Sequence, residues 1–221
     1  MRNTRNKQKT NQIVILAIYV IMAFVVFIIG SILFLTKKVP ENYKSYDVND
    51  RVVKARLGGK FETTIGEDEI VVEGKKITLA KIVDPLTLSK NGNEVLFADD
   101  TYHFVTQNDH TIYRKYEEDD VKCVLSMDGE FSVIGDKYSI KNGENIVAKA
   151  KFSAFDIVGK IIDTNGNTLA IYKSFPFRRD FKVYISPDCI FEDDVVILMC
   201  CSYASDRNAK RGGSSKSISR K

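Results

Sequence analysis

Five acids crowd the last quarter of the chain: Asp180, Asp188, Glu192, Asp193 and Asp194. Carboxylate oxygens are the natural ligands of calcium, which makes these residues weak calcium candidates. A calcium loop of the EF-hand type alternates its ligands and needs a glycine at the sixth position. That spacing is missing here, so the acids read first as the capped, negatively charged start of a helix, and no metal is expected. A second acidic run, Glu117 to Asp120, reads as a solvated hairpin loop. Four cations lie close by in sequence, Lys173, Arg178, Arg179 and Lys182. Guanidinium and ammonium groups bind phosphate oxygens by charge-assisted hydrogen bonds, so these four are lipid-headgroup candidates, although the same residues also suit an ordinary charged surface. Cys123, Cys189, Cys200 and Cys201 form no C-x-x-C pair, and His103 and His110 have no further ligands at metal-site spacing. There is no G-x-S-x-G elbow, phosphate-binding glycine loop or H-E-x-x-H motif. No catalytic residue and no cofactor is expected, and the chain is read as a non-enzyme.

The element that must position these groups is Val195–Ala204, VVILMCCSYA. It is apolar almost all the way round, preceded by three acids and followed by Arg207 and Lys210, the charge order that a helix dipole favours. At 1.5 Å per residue it is only ~15 Å long, about half a bilayer core. A helix near 194–204 buried inside a domain fits better than a membrane span, with a buried central strand as the alternative. Between residues 56 and 190 short apolar runs alternate with turn signals, Asn91-Gly92, Asp128-Gly129, Gly135-Asp136, Asn142-Gly143 and Asn165-Gly166 among them. EFSVI (130–134) reads as one of these strands. About eleven or twelve antiparallel strands must close to protect their edges. The expectation is a mainly β fold: a closed antiparallel barrel of about twelve strands around a central C-terminal helix, spanning residues 56–204.

Outside that domain, Ile13–Leu35 is 23 residues without a charge, seventeen of them Ile, Val, Leu or Phe. As a helix it would be ~34 Å long, enough to cross a bilayer. No small-x-small cleavage site follows, so it is expected to be an uncleaved single-pass anchor rather than a signal peptide. Residues 1–12 form a basic tail, 36–55 a polar linker and 205–221 a flexible basic tail. The N-terminal flank carries Arg2, Arg5, Lys7 and Lys9, one more cation than the Lys37, Lys38 and Lys44 that follow the helix. The lean is slightly towards a cytoplasmic N-terminus with the domain outside, against which the unpaired cysteines weigh. The net charge of +4 comes from the two tails. The remainder is acidic, which argues against a nucleic-acid-binding domain.

Residues 137–207 resemble the C-terminal half of LURP-one-related, tubby C-terminal-like domains. The shared features are Tyr138-Ser139-Ile140, the hairpin Asp163-Thr164-Asn165-Gly166, and Asp180-Phe181-Lys182-Val183-Tyr184-Ile185 before the final helix. The final apolar helix also resembles that of phospholipid scramblases, in whose calcium segment the acids near residues 180–194 would fall. The resemblance implies a twelve-stranded barrel around a central helix, and phosphoinositide binding through basic side chains in tubby members. An N-terminal anchor departs from the scramblase pattern. The chain is therefore expected to be a membrane-anchored, non-catalytic barrel that acts as a binding or scaffold module for anionic lipid headgroups or a protein partner. The alternative is a lipid-moving or hydrolytic protein with an unrecognised carboxylate site.

Overall fold

The computed structural model describes residues 12, 14–26, 30, 38–52, 59–74, 76–77, 82–83, 85–101, 103, 107–117, 120–153, 157–174 and 180–214. The chain divides into two compact units, Met1–Lys38 and Val39–Lys221. In the first, residues 14–26 form a helix (α1) that is apolar on every side, with all of its side chains exposed. Residues 13, 27–29 and 31–35 of the expected anchor lie outside the described residues, and among those described no helix is long and apolar enough to cross a membrane.

The second unit is mainly β. Twelve strands close into an antiparallel barrel in the order β1-β14-β13-β12-β11-β10-β9-β8-β7-β6-β3-β2. Along the chain these are β1 (Lys44–Val52), β2 (Gly59–Ile65), β3 (Asp68–Glu73), β6 (Leu86–Lys90), β7 (Asn93–Thr101), β8 (Asp109–Glu117), β9 (Asp120–Glu130), β10 (Asp136–Asn142), β11 (Asn145–Phe152), β12 (Val158–Asp163), β13 (Thr168–Ser174) and β14 (Phe181–Ile185). A separate two-stranded ribbon pairs β4 (Lys76–Ile77) with β5 (Ile82–Val83). Alternation sets the inward face: Ala148, Ala150 and Phe152 of β11 are buried, while Lys149 and Lys151 between them are exposed. Asn91 and Gly92 both take positive φ, 50° and 83°, as a tight hairpin turn matched to strand twist requires.

The last element, α2 (Asp193–Ser214), fills the ring. Every residue from Val195 to Ala204 is at most 2% exposed, and a helix buried on all faces needs walls on all sides. Its side chains reach strands all round the barrel. Tyr203 stacks on Phe152 of β11 at 3.5 Å between ring centroids and meets the edges of Tyr138 (β10) and Tyr172 (β13). Gly159 of β12 sits directly opposite Phe152. A Cβ at Gly159 would lie 2.2 Å from the Phe152 ring, so glycine makes the room that this stack occupies.

Three boundaries differ from the sequence reading. The polar stretch 36–55, expected as a linker, contributes β1, which closes the barrel between β14 and β2. Among the described side chains its inward apolar face is marked by Tyr46 and Val48, with Asp50 next on that face, too short an apolar alternation to stand out among charged neighbours. Residues 205–214, expected in a flexible tail, continue α2. Asp128-Gly129, expected as a turn, lies inside β9, and 131–134 of the expected EFSVI strand (130–134) form, with Gly135, the loop to β10. Gly129 is required not by a turn but by packing, because a Cβ there would lie 2.3 Å from the Gln107 carbonyl oxygen.

Because every neighbouring pair is antiparallel, the barrel has two distinct ends. The chain enters at Lys44 and α2 begins at one of them, the entry end. At the far end α2 terminates, β1, β9, β11 and β13 finish, and β10, β12 and β14 start.

Candidate functional site

At the entry end the acids at the start of α2, Glu192, Asp193 and Asp194, are already matched with cations. Lys44 donates to Asp193 at 2.8 Å, and the Tyr46 hydroxyl donates to the same oxygen. Burial, and then the Asp193 carboxylate, push the Tyr46 phenol well above its ordinary range. Arg114 donates to Glu192 at 3.0 Å and reaches Asp194 at 3.4 Å. Asp194 also accepts from the Val195 amide at 2.7 Å. Asp188 is exposed, with its amide held by Ser186. Asp180 belongs to the far end, where it accepts from the Asp50 amide. The five calcium candidates are thus not one cluster, and among the described residues no group of three or more His, Cys, Asp or Glu is placed to hold a metal.

The far end carries a polar network that the sequence did not single out. His110 is fully buried, with Nδ1 2.6 Å from Asp100 and Nε2 3.5 Å from Asp206. Asn108 donates to Asp206 at 2.9 Å, and Asn208 donates to Asp50 at 2.7 Å. Arg207, 4% exposed, donates through Nη1 to the Tyr172 hydroxyl and to Ser174. Three consecutive residues of α2 therefore each bind a different strand or loop of the wall, which pins the helix rotationally where its apolar stretch ends. Buried polar groups must be paired in this way to be tolerated. The four cysteines carry no pairing. Burial pushes the Cys200 thiol up to about 12 and raises that of Cys201 as well, so both behave as small apolar side chains.

Of the headgroup candidates, Arg178 and Arg179 lie outside the described residues. Lys173 and Lys182 face each other across β13 and β14 on the outer surface. Lys173 lies 5.7 Å from the centre of the Tyr184 ring, and burial draws its ammonium below the ordinary value. Lys182 is paired with Asp47 at 2.8 Å, whose hydrogen bond raises it. The strand register adds residues that spacing alone cannot reveal. Lys137 of β10 is opposite Lys151 of β11, which is opposite Lys160 of β12, and Lys149 shares their face. Six lysines thus share the outer surface of β10–β14 although the folded region as a whole is acidic. Among the described residues Lys137, Lys149, Lys151 and Lys160 make no ion pair. Acids are present at the margin. Glu130 pairs in register with Lys137 but accepts the Ser139 hydroxyl, and Asp128 holds Lys141. Like charges placed directly opposite one another destabilise a sheet, so this arrangement is not explained by folding.

No protein-family model matches the chain, and neither a curated protein nor a solved structure matches it significantly.

Proposed function

We infer that this is a single-pass membrane-anchored, non-catalytic binding module whose barrel recognises anionic lipid headgroups on the outer face of β10–β14. The lysine register carries this reading. Among the described residues Lys137, Lys149, Lys151 and Lys160 are held on adjacent strands without an ion pair, on a wall whose interior is occupied by α2. Each Lys near an anionic leaflet contributes roughly 1 kcal/mol of attraction, screened within about 10 Å at ordinary salt. The four together would give a useful affinity only close to a bilayer, which is where an anchor would hold them. Helix α1 supports the anchor, since a helix that is apolar all round and exposed along its length is poorly solvated by water. The tubby-like resemblance points the same way, towards a twelve-stranded barrel that binds lipid through basic side chains.

The test is an amine-acetylation footprint of the full chain in lipid nanodiscs. With phosphatidylserine present, Lys137, Lys149, Lys151 and Lys160 are expected to be protected several-fold relative to Lys60, Lys90 and Lys122 on other strands. In phosphatidylcholine alone each lysine should react as it does in detergent, without added protection. Equal reactivity of the two groups in both discs would remove lipid recognition from this face.

A further inference from the structure

The loop that joins β9 to β10 at the far end displays Phe131, Val133 and Ile134 at 70%, 87% and 76% exposure. Among the described residues of the barrel unit the other exposed large apolar side chains are Tyr116, Val121, Ile146 and Ile190, no three of them within five residues, so Phe131, Val133 and Ile134 form the densest exposed apolar tip. The loop is ordered locally: Ser132 Oγ donates to the Ile134 carbonyl at 3.0 Å, and Gly135, at φ 70°, turns the chain into β10. Two residues after that glycine comes Lys137, the first member of the lysine row. Lys151 lies one residue before the end of β11 and Lys160 is the third residue of β12, both at the far end and in register with it. Adjacent strands are separated by ~4.8 Å, so the row extends about 10 Å sideways from the base of the loop.

Two carboxylates bracket the loop, Glu130, which accepts the Ser139 hydroxyl, and Asp136, against the three ammonium groups of the row. An apolar tip beside this net-basic collar is complementary to the interface of an anionic bilayer. There the acyl boundary takes Phe131, Val133 and Ile134 while phosphate and carboxylate groups meet the collar. An acidic protein surface would satisfy the lysines but would have to present an apolar socket at the same place. A second copy would bring like-charged rows together. We propose that the 131–135 loop is a wedge that inserts into an anionic membrane surface, with Lys137, Lys151 and Lys160 as its headgroup contacts. This rests on the lipid reading above and adds insertion to it.

The chain contains no tryptophan, so Phe131→Trp introduces a single indole at an exposed position that supports no core packing. The full-length variant is reconstituted into vesicles of phosphatidylcholine with or without phosphatidylserine, and brominated lipid is placed either in the host vesicles or in a second, added population. Both arms are needed because the chain enters the barrel at the end opposite the loop. The expected result is a blue-shifted emission and bromolipid quenching in at least one arm, only with phosphatidylserine, and lost in a Lys137→Gln/Lys151→Gln/Lys160→Gln background. Water-like, unquenched emission in every arm overturns the wedge. If the lysines are nevertheless protected in the acetylation footprint, the face binds lipid without inserting and only the wedge fails. If neither changes, the lipid reading fails as well. An emission shift that tracks protein concentration without bilayers would make the loop a self-association site and would also overturn the proposal.

Discussion

Leu198→Asp is expected to abolish the cooperative unfolding transition of the barrel. Leu198 is fully buried within Val195–Ala204, the stretch of α2 that the barrel encloses. Removing a buried leucine side chain costs about 3–5 kcal/mol through lost transfer energy and the cavity left behind. Adding a carboxyl group without a partner costs several kcal/mol more, even when the group protonates to avoid the charge. The combined penalty is comparable to the whole stability of an ordinary domain, about 5–15 kcal/mol. Thermal melts of the full chain in mild detergent, followed by the β-sheet circular dichroism signal, measure the effect. A variant that melts within a few degrees of the parent would mean that α2 does not fill the barrel. Leu198→Met, similar in volume and apolar, is expected to melt close to the parent.

Tyr203→Ala is expected to destabilise the barrel by about 3–5 kcal/mol, the range for truncating a buried aromatic. Tyr203 lies at the centre of a ring cluster contributed by four elements. It stacks on Phe152, with Tyr138 and Tyr172 edge-on around the pair, and the cluster continues through Phe181 to Phe61. Phe152 cannot follow a shrinking partner without opening space over Gly159 opposite it. Coupling should therefore appear in a double-mutant cycle: Tyr203→Ala and Phe152→Ala together should cost less than the sum of their separate effects. An aromatic pair contributes roughly 0.5–1.5 kcal/mol beyond its buried area. Denaturant unfolding at equilibrium gives each corner of the cycle. Additive single effects, or a Tyr203→Ala loss below about 1 kcal/mol, would mean that the stack does not join helix to wall.

Both expectations concern the one element whose role was plain in the sequence. Val195–Ala204 has no polar face, so nothing but enclosure suits it, and the Asn-Gly turns at 91–92, 142–143 and 165–166 mark hairpins through backbone conformation alone. The remaining features depend on register, which strand propensity does not specify. Lys137, Lys151 and Lys160 are separated by fourteen and nine positions and become neighbours only once β10, β11 and β12 are aligned. Asp206, Arg207 and Asn208 read as part of a basic tail because their partners, Asn108, His110, Tyr172, Ser174 and Asp50, are remote in sequence. Phe131, Val133 and Ile134 have the composition and alternation of a strand. They form a loop because β9 runs straight through Asp128-Gly129 and pairs with β10 as far as Glu130. The cation pair Arg178-Arg179, prominent in the sequence, falls outside the described residues, whereas the lysines beside it define a surface.

The claim on which the membrane reading depends is that Ile13–Leu35 holds the barrel at a bilayer. The most direct measurement is alkaline carbonate extraction of membranes from cells that express the chain, followed by N-terminal sequencing of the recovered protein. The expected result is a chain that stays in the membrane pellet with its first residues intact. A chain released into the carbonate supernatant, or a mature protein that starts near residue 38, would contradict it.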